Sequence, residues 1–151
     1  MSTPPVSFRD RLRRQAWGLL ALLVLENLLG IFANLYITLP AGNAIEAIFT
    51  SFPVLTVHVV NGFLMLALAA TMVVSTHRAG YRRLRNVAIF EVVFLAVAIQ
   101  EGFAYSATQN NLFSFGMEAA FVFAVVGVAT LLYRLGPPLE TVPTQGTPTS
   151  V

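Results

Sequence analysis

The chain lacks cysteine and lysine, holds one tryptophan and two histidines, and is only 11% charged over its 151 residues. Without cysteine there is no disulfide, no thiolate metal site and no cysteine nucleophile, and the redox state of the compartment leaves no trace in the sequence. Soluble domains average about 25% charged residues. A chain that is 56% hydrophobic with so few charges has too little polar surface to cover itself in water, and a mean hydropathy of +0.74 points the same way. The composition is that of an integral membrane protein. No GxGxxG, P-loop, GxSxG or HExxH occurs, which excludes a soluble nucleotide-dependent reaction.

What is present is four apolar runs, each long enough for the roughly 20 helical residues that cross a bilayer. They predict helices over Gln15–Leu39, Pro53–Thr76, Leu84–Tyr105 and Phe113–Leu135. Helices satisfy their backbone polar groups within one segment, so the expected fold is all-α, an integral membrane four-helix bundle. All nine basic residues are arginine, and they cluster in "RDRLRR", in "HRAGYRRLR" and at Arg134. The other two connections carry no base, and the positive-inside rule places both termini and the arginine-rich loop in the cytoplasm of a multi-pass cell-membrane protein. Residues 1–14 read as a basic arm that signals topology and lies against anionic head groups; no nucleic-acid partner is expected. A cleaved signal peptide is not expected, because the first apolar run is too long and leads into a polar stripe. The Pro/Thr-rich tail, residues 136–151, has too little apolar surface to pack and is expected to be disordered. Between Pro40 and Pro53, "AIEAIF" suits a short helix in the outer interface.

Ionisable groups in membrane helices usually face the bundle interior and mark function. At helical spacing the first span carries Glu26, Asn27, Gly30 and Asn34 on one stripe, and the second carries His58, Asn61, Gly62 and Met65. The third span has Glu91, Ala98, Glu101 and Tyr105 on one face with Gln100 beside it, and the fourth opens with Met117 and Glu118. With a rise of about 1.5 Å per residue, Asn34, His58, Asn61, Gln100, Glu101, Tyr105, Met117 and Glu118 fall in the outer third. Glu26 falls near the middle and Glu91 towards the cytoplasm. The pattern reads as an outer polar chamber with two carboxylates beneath it, a proton or ion path. The alternative is interhelical glue, worth typically about 0.6 kcal/mol per hydrogen bond. Gly116, Ala120 and Ala124 form a small-residue packing seam.

His58 is the residue with most chemistry to offer. A neutral imidazole in a bundle suits a haem iron. The other histidine, His77, lies about 28 Å away along the helix and is excluded as a second axial ligand; Met117 is the candidate for that place. A metal held by His58, Glu101 and Glu118 is a second option, with donors in the wrong ratio for a 2-His-1-carboxylate site and without the ExxH spacing of di-iron bundles. Acid/base chemistry on a lipid by His58 and Glu101 is a third. No residue is assigned a catalytic role.

From Thr56 to Leu132 the chain resembles one four-helix half of the haem A synthase superfamily and related small membrane cytochromes. The stretches that carry the likeness are "HVVNGFLML", "HRAGYRRLR", "AVAIQEGFAY" and "FGMEAAFVF". In that superfamily a haem-ligating histidine opens the second helix, as His58 does, and a Gln and Gly pair similar to Gln100 and Gly102 ends the third. A second histidine opens the fourth, where this chain departs and has Met117 or Glu118. The resemblance implies His58 as an axial ligand of b-type haem, with Met117 a candidate second one and glutamates moving protons near haem or quinone. The functional expectation is a small redox-associated membrane protein with haem near His58, Met117, Asn61 and Gly62. Its alternatives are an accessory subunit of a membrane complex, and a proton-coupled carrier that uses Glu26, Glu91 and Glu101 and works as a homo-oligomer.

Overall fold

A computed structural model describes residues 8–38, 44–50 and 52–136. It is all-helical, with no strand among the described residues: α1 (Phe8–Tyr36), α2 (Ala44–Thr50), α3 (Pro53–Arg78), α4 (Arg82–Thr108) and α5 (Asn111–Leu135). The four long helices are each long and apolar enough to cross a membrane. A long apolar helix lies over each of the four expected runs, and the short helix over "AIEAIF" is α2. The expected tail lies outside the described residues beyond Gly136.

α1 begins at Phe8 rather than at Gln15, so half of the basic arm is helix. Arginine is a good helix former, and Asp10 in the first turn complements the helix dipole. Hydropathy finds the part of a helix that crosses lipid and misses a polar turn that continues it. Pro53 opens α3 at the position where its missing N–H is no loss. Between α3 and α4 the chain reverses through Gly80, whose φ of 74° suits a residue without a side chain. Between α4 and α5 it turns at Gln109 and Asn110, where the Asn110 side chain accepts a hydrogen bond from Leu112 N and caps α5.

The long helices form an up-down ring, α1–α3–α4–α5–α1, with no close backbone approach across either diagonal among the described residues. Every arginine cluster therefore falls at one end of the bundle. There Phe8 stacks on Tyr81 with ring centroids 5.2 Å apart, and the Arg9 guanidinium donates to the Leu135 carbonyl, one of the unpaired carbonyls of α5's last turn. At the other end α2 packs on α3 and α4, and Thr56 Oγ1 donates to Ile48 O at 2.7 Å.

The main packed cluster lies in the arginine half: Leu12, Leu19 and Leu23 of α1 pack with Met72, Leu95 and Leu131. Beyond Leu23, no α1 residue is buried. Outward-facing positions are apolar around the bundle, with Trp17, Leu64, Val93 and Val126 all about half exposed. Such a belt is a liability in water and matches the hydrocarbon of a bilayer.

Candidate functional site

Where the α1 core ends, a cavity of about 460 Å³ opens, with walls from all five helices. Its centre of chemistry is an antiparallel exchange between α1 and α3. Glu26 and Gly30 lie one turn apart on α1, as His58 and Gly62 do on α3. A Cβ on Gly30 would stand 3.6 Å from His58 Cε1, and a Cβ on Gly62 would stand 3.4 Å from Glu26 Oε1. Gly62 of α3 faces the carboxylate and Gly30 of α1 faces the imidazole, both at ordinary van der Waals range.

Glu26 Oε1 is 3.2 Å from His58 Nδ1, an ion-pair distance when the imidazole is protonated, with side-chain exposures of 13% and 21%. That nitrogen is fully buried and off the line a hydrogen bond needs. Because His58 lines the cavity and Nδ1 is sealed, the ring nitrogen open to the cavity is Nε2. Behind the pair, buried Asn61 donates through Nδ2 to Glu26 Oε2 at 2.8 Å and to Leu22 O at 3.1 Å. Asn61 thereby fixes the carboxylate against the α1 backbone; it does not line the cavity.

Several expected residues reach the cavity: Asn34, Tyr105, Met117 and Glu118 all line it. Met117 is on α5, diagonally across the ring from His58, with its Sδ 3.2 Å from where a Gly102 Cβ would stand. Others do not. Gln100 is exposed on the far side of α4. Glu101 turns to the α4–α5 seam, where its Oε2 would be 3.0 Å from a Cβ on Gly116. The metal set of His58, Glu101 and Glu118 is not assembled, and no group of three His, Cys, Asp or Glu able to hold a metal ion occurs among the described residues. The physical reason is helix phase: Ala98, Gly102 and Tyr105 face the cavity, and Glu101 lies about 100° round from Gly102.

Glu26 does not lie a level below His58 but beside it, because α1 runs further from the arginine end than the start of α3. Glu91 lies one turn below Leu95, which lines the cavity, and is buried in the arginine half at 2% exposure. Neither of its oxygens has a hydrogen-bond partner. Its carboxyl occupies the space over Gly127 where a side chain would otherwise be.

Two features of the wall escape a reading of polar stripes. Phe103, Tyr105 and Phe121 contribute aromatic surface, and no arginine or lysine is present on it among the described residues. The signal was in the sequence: the arginines all lie at the opposite end. Compared with family models, curated proteins and solved structures, the chain matches none.

Proposed function

We propose that this is a small multi-pass membrane protein that takes a ligand into the chamber and couples its binding to a proton, the Glu26–His58 pair being the place where the two meet. The observation that carries this reading is the 3.2 Å carboxylate–imidazole pair on the chamber wall, held from behind by Asn61. An acid and a base in contact, partly shielded from solvent, exchange protons with whatever occupies the chamber. With the arginine end cytoplasmic, the chamber belongs to the outer leaflet side. One four-helix chain offers one chamber, so carriage across the bilayer calls for a second copy.

The test uses proteoliposomes with a trapped pH dye and an acidic interior. Cationic, neutral and anionic lipophilic probes are added outside, and at least one class collapses the gradient in the wild type and fails to do so in Glu26→Gln. Gradients unaffected by every class would overturn the proposal.

A second reading, b-type haem and electron transfer, is favoured by the imidazole itself. Metal-bound histidines usually present their other nitrogen to a carboxylate or carbonyl, and here Nδ1 faces Glu26 while Nε2 is open. Met117, on the helix diagonally opposite, lines the same cavity. The residues fit the iron and not the rest of the group: among the described residues the wall offers no arginine to the two haem propionates, and it adds Glu26 and Glu118 of its own. The reading therefore stands second, and the likeness to the haem A synthase superfamily stands with it. Protein purified from haem-replete cells decides: a Soret band lost in His58→Ala would put haem first, and a colourless preparation removes it.

A further inference from the structure

The geometry points to the chemical class of the ligand and to its route: we propose that the chamber takes a lipophilic organic cation, an amine or quaternary onium with an apolar body, admitted sideways from the bilayer between α1 and α5. This deepens the proton-coupled reading and rests on it.

Charge comes first. The wall carries two carboxylates, Glu26 and Glu118, and its single imidazole is already beside Glu26. An anion entering there would meet uncompensated negative charge in a medium of low dielectric, where like charges repel most strongly. A cation meets the opposite. Phe103, Tyr105 and Phe121 are on the wall, and aromatic rings attract onium groups through the negative quadrupole of their faces. The remaining wall is aliphatic, including Ile31, Leu55, Val59 and Ile99, and the volume of about 460 Å³ is in the range of drug-sized ligand sites. The ligand so described is a positive head on an apolar body.

The route follows from which parts of the wall are open. Lining residues on α3 and α4 up to Ser106 are buried or half-buried, whereas Asn27, Ile31 and Asn34 of α1 and Glu118 of α5 are exposed. Both helices that neighbour one another in the ring therefore present cavity-lining side chains to the surroundings at this level, while the Arg9–Leu135 contact ties them at the arginine end. The gap between α1 and α5 is the mouth. Glu118 stands at it, and Glu26 lies deeper. A cation arriving from the lipid is met by the first carboxylate and passed to the second, where it takes the place of a proton held by the Glu26–His58 pair: one monovalent cation in, one proton out.

Tetraphenylphosphonium and tetraphenylborate share a shape and differ in sign, which makes them the probes. With the full chain in lipid nanodiscs, phosphonium is expected to bind saturably and the borate not. Glu26→Gln weakens phosphonium binding at least tenfold and Glu118→Gln about threefold, while Glu26→Asp, which keeps the carboxylate, retains most of it. Proton release on phosphonium binding is lost in Glu26→Gln. Ile31→Trp, which narrows the mouth, slows association at least tenfold. Borate binding as tight as phosphonium, or phosphonium binding indifferent to both glutamate variants, would overturn the ligand class; an unchanged association rate in Ile31→Trp would overturn the route. Glu26-dependent proton release with the neutral quinone decylubiquinone and none with phosphonium would reject the cation and leave the proton-coupled reading in place. Proton release with neither probe would remove both.

Discussion

Asn61 makes no contact with the chamber, yet the geometry of the Glu26–His58 pair runs through it. Its amide donates to both the carboxylate and the Leu22 carbonyl, so Glu26 is held in one position on a helix whose outer half has no buried residue. Asn61→Leu keeps the branching of the side chain and removes both hydrogen bonds. It is expected to destabilise the protein by about 1–2 kcal/mol, since a charged acceptor loses its donor, and to weaken chamber binding along with it. Thermal unfolding in detergent measures the first effect, and a melting temperature within a degree of wild type would count against the role. Glu91 and Gly127 form the other residue-scale unit. The carboxyl and a new methyl group would compete for the same space, so Gly127→Ala is expected to cost about 1–3 kcal/mol alone and much less in the Glu91→Ala background. A double-mutant cycle reads the coupling, and additive effects would show that the two do not share the space. The stripe of Glu26 with Gly30, and of His58 with Gly62, was legible from helical spacing. Their contact was not, because spacing gives each side chain a direction around its own helix and says nothing of how far one helix is shifted along another. Gln100 and Glu101 were misplaced for a related reason: at a helix-helix boundary a rotation of one residue separates the chamber from the seam.

Among the elements, α2 and α1 differ most from what periodicity predicts. α2 is seven residues long, too short to be stable by itself, and it is fixed by the contact of Ile48, which is 3% exposed, and by the Thr56–Ile48 hydrogen bond. It covers the end of the chamber, with Ile48 on the wall. Thr56→Val removes that bond at constant shape. Amide exchange in α2 is expected to quicken by about fivefold, the equivalent of roughly 1 kcal/mol, with the four long helices unchanged. Equal protection in α2 would show that packing alone fixes it. α1 carries a long apolar run after its arginines, which is why its membrane character was legible. Its division into a packed half and an open half was not, because Leu23 and Leu28 are the same residue type and only the neighbours they meet separate 0% from 60% exposure.

At the scale of the whole molecule the two ends are opposites. Arginines gather at one, and at the other the exposed acids Glu46 and Glu118 lie without an arginine among the described residues. This polarity has a consequence for topology, because carrying clustered arginines across the bilayer is the costly step in insertion and the cluster stays on the cytoplasmic side. If that holds, the chamber faces away from the cytoplasm and its proton exchange takes place with the outer compartment. A chain without cysteine is already suited to the measurement. Ala79 lies in the turn at the arginine end and Asn111 at the start of α5, and both are exposed. In intact cells a membrane-impermeant maleimide is expected to label Asn111→Cys and to leave Ala79→Cys unmodified until the membrane is permeabilised. The opposite pattern would turn the molecule over, put the chamber on the cytoplasmic side, and reverse the direction in which a cation taken from the bilayer displaces its proton.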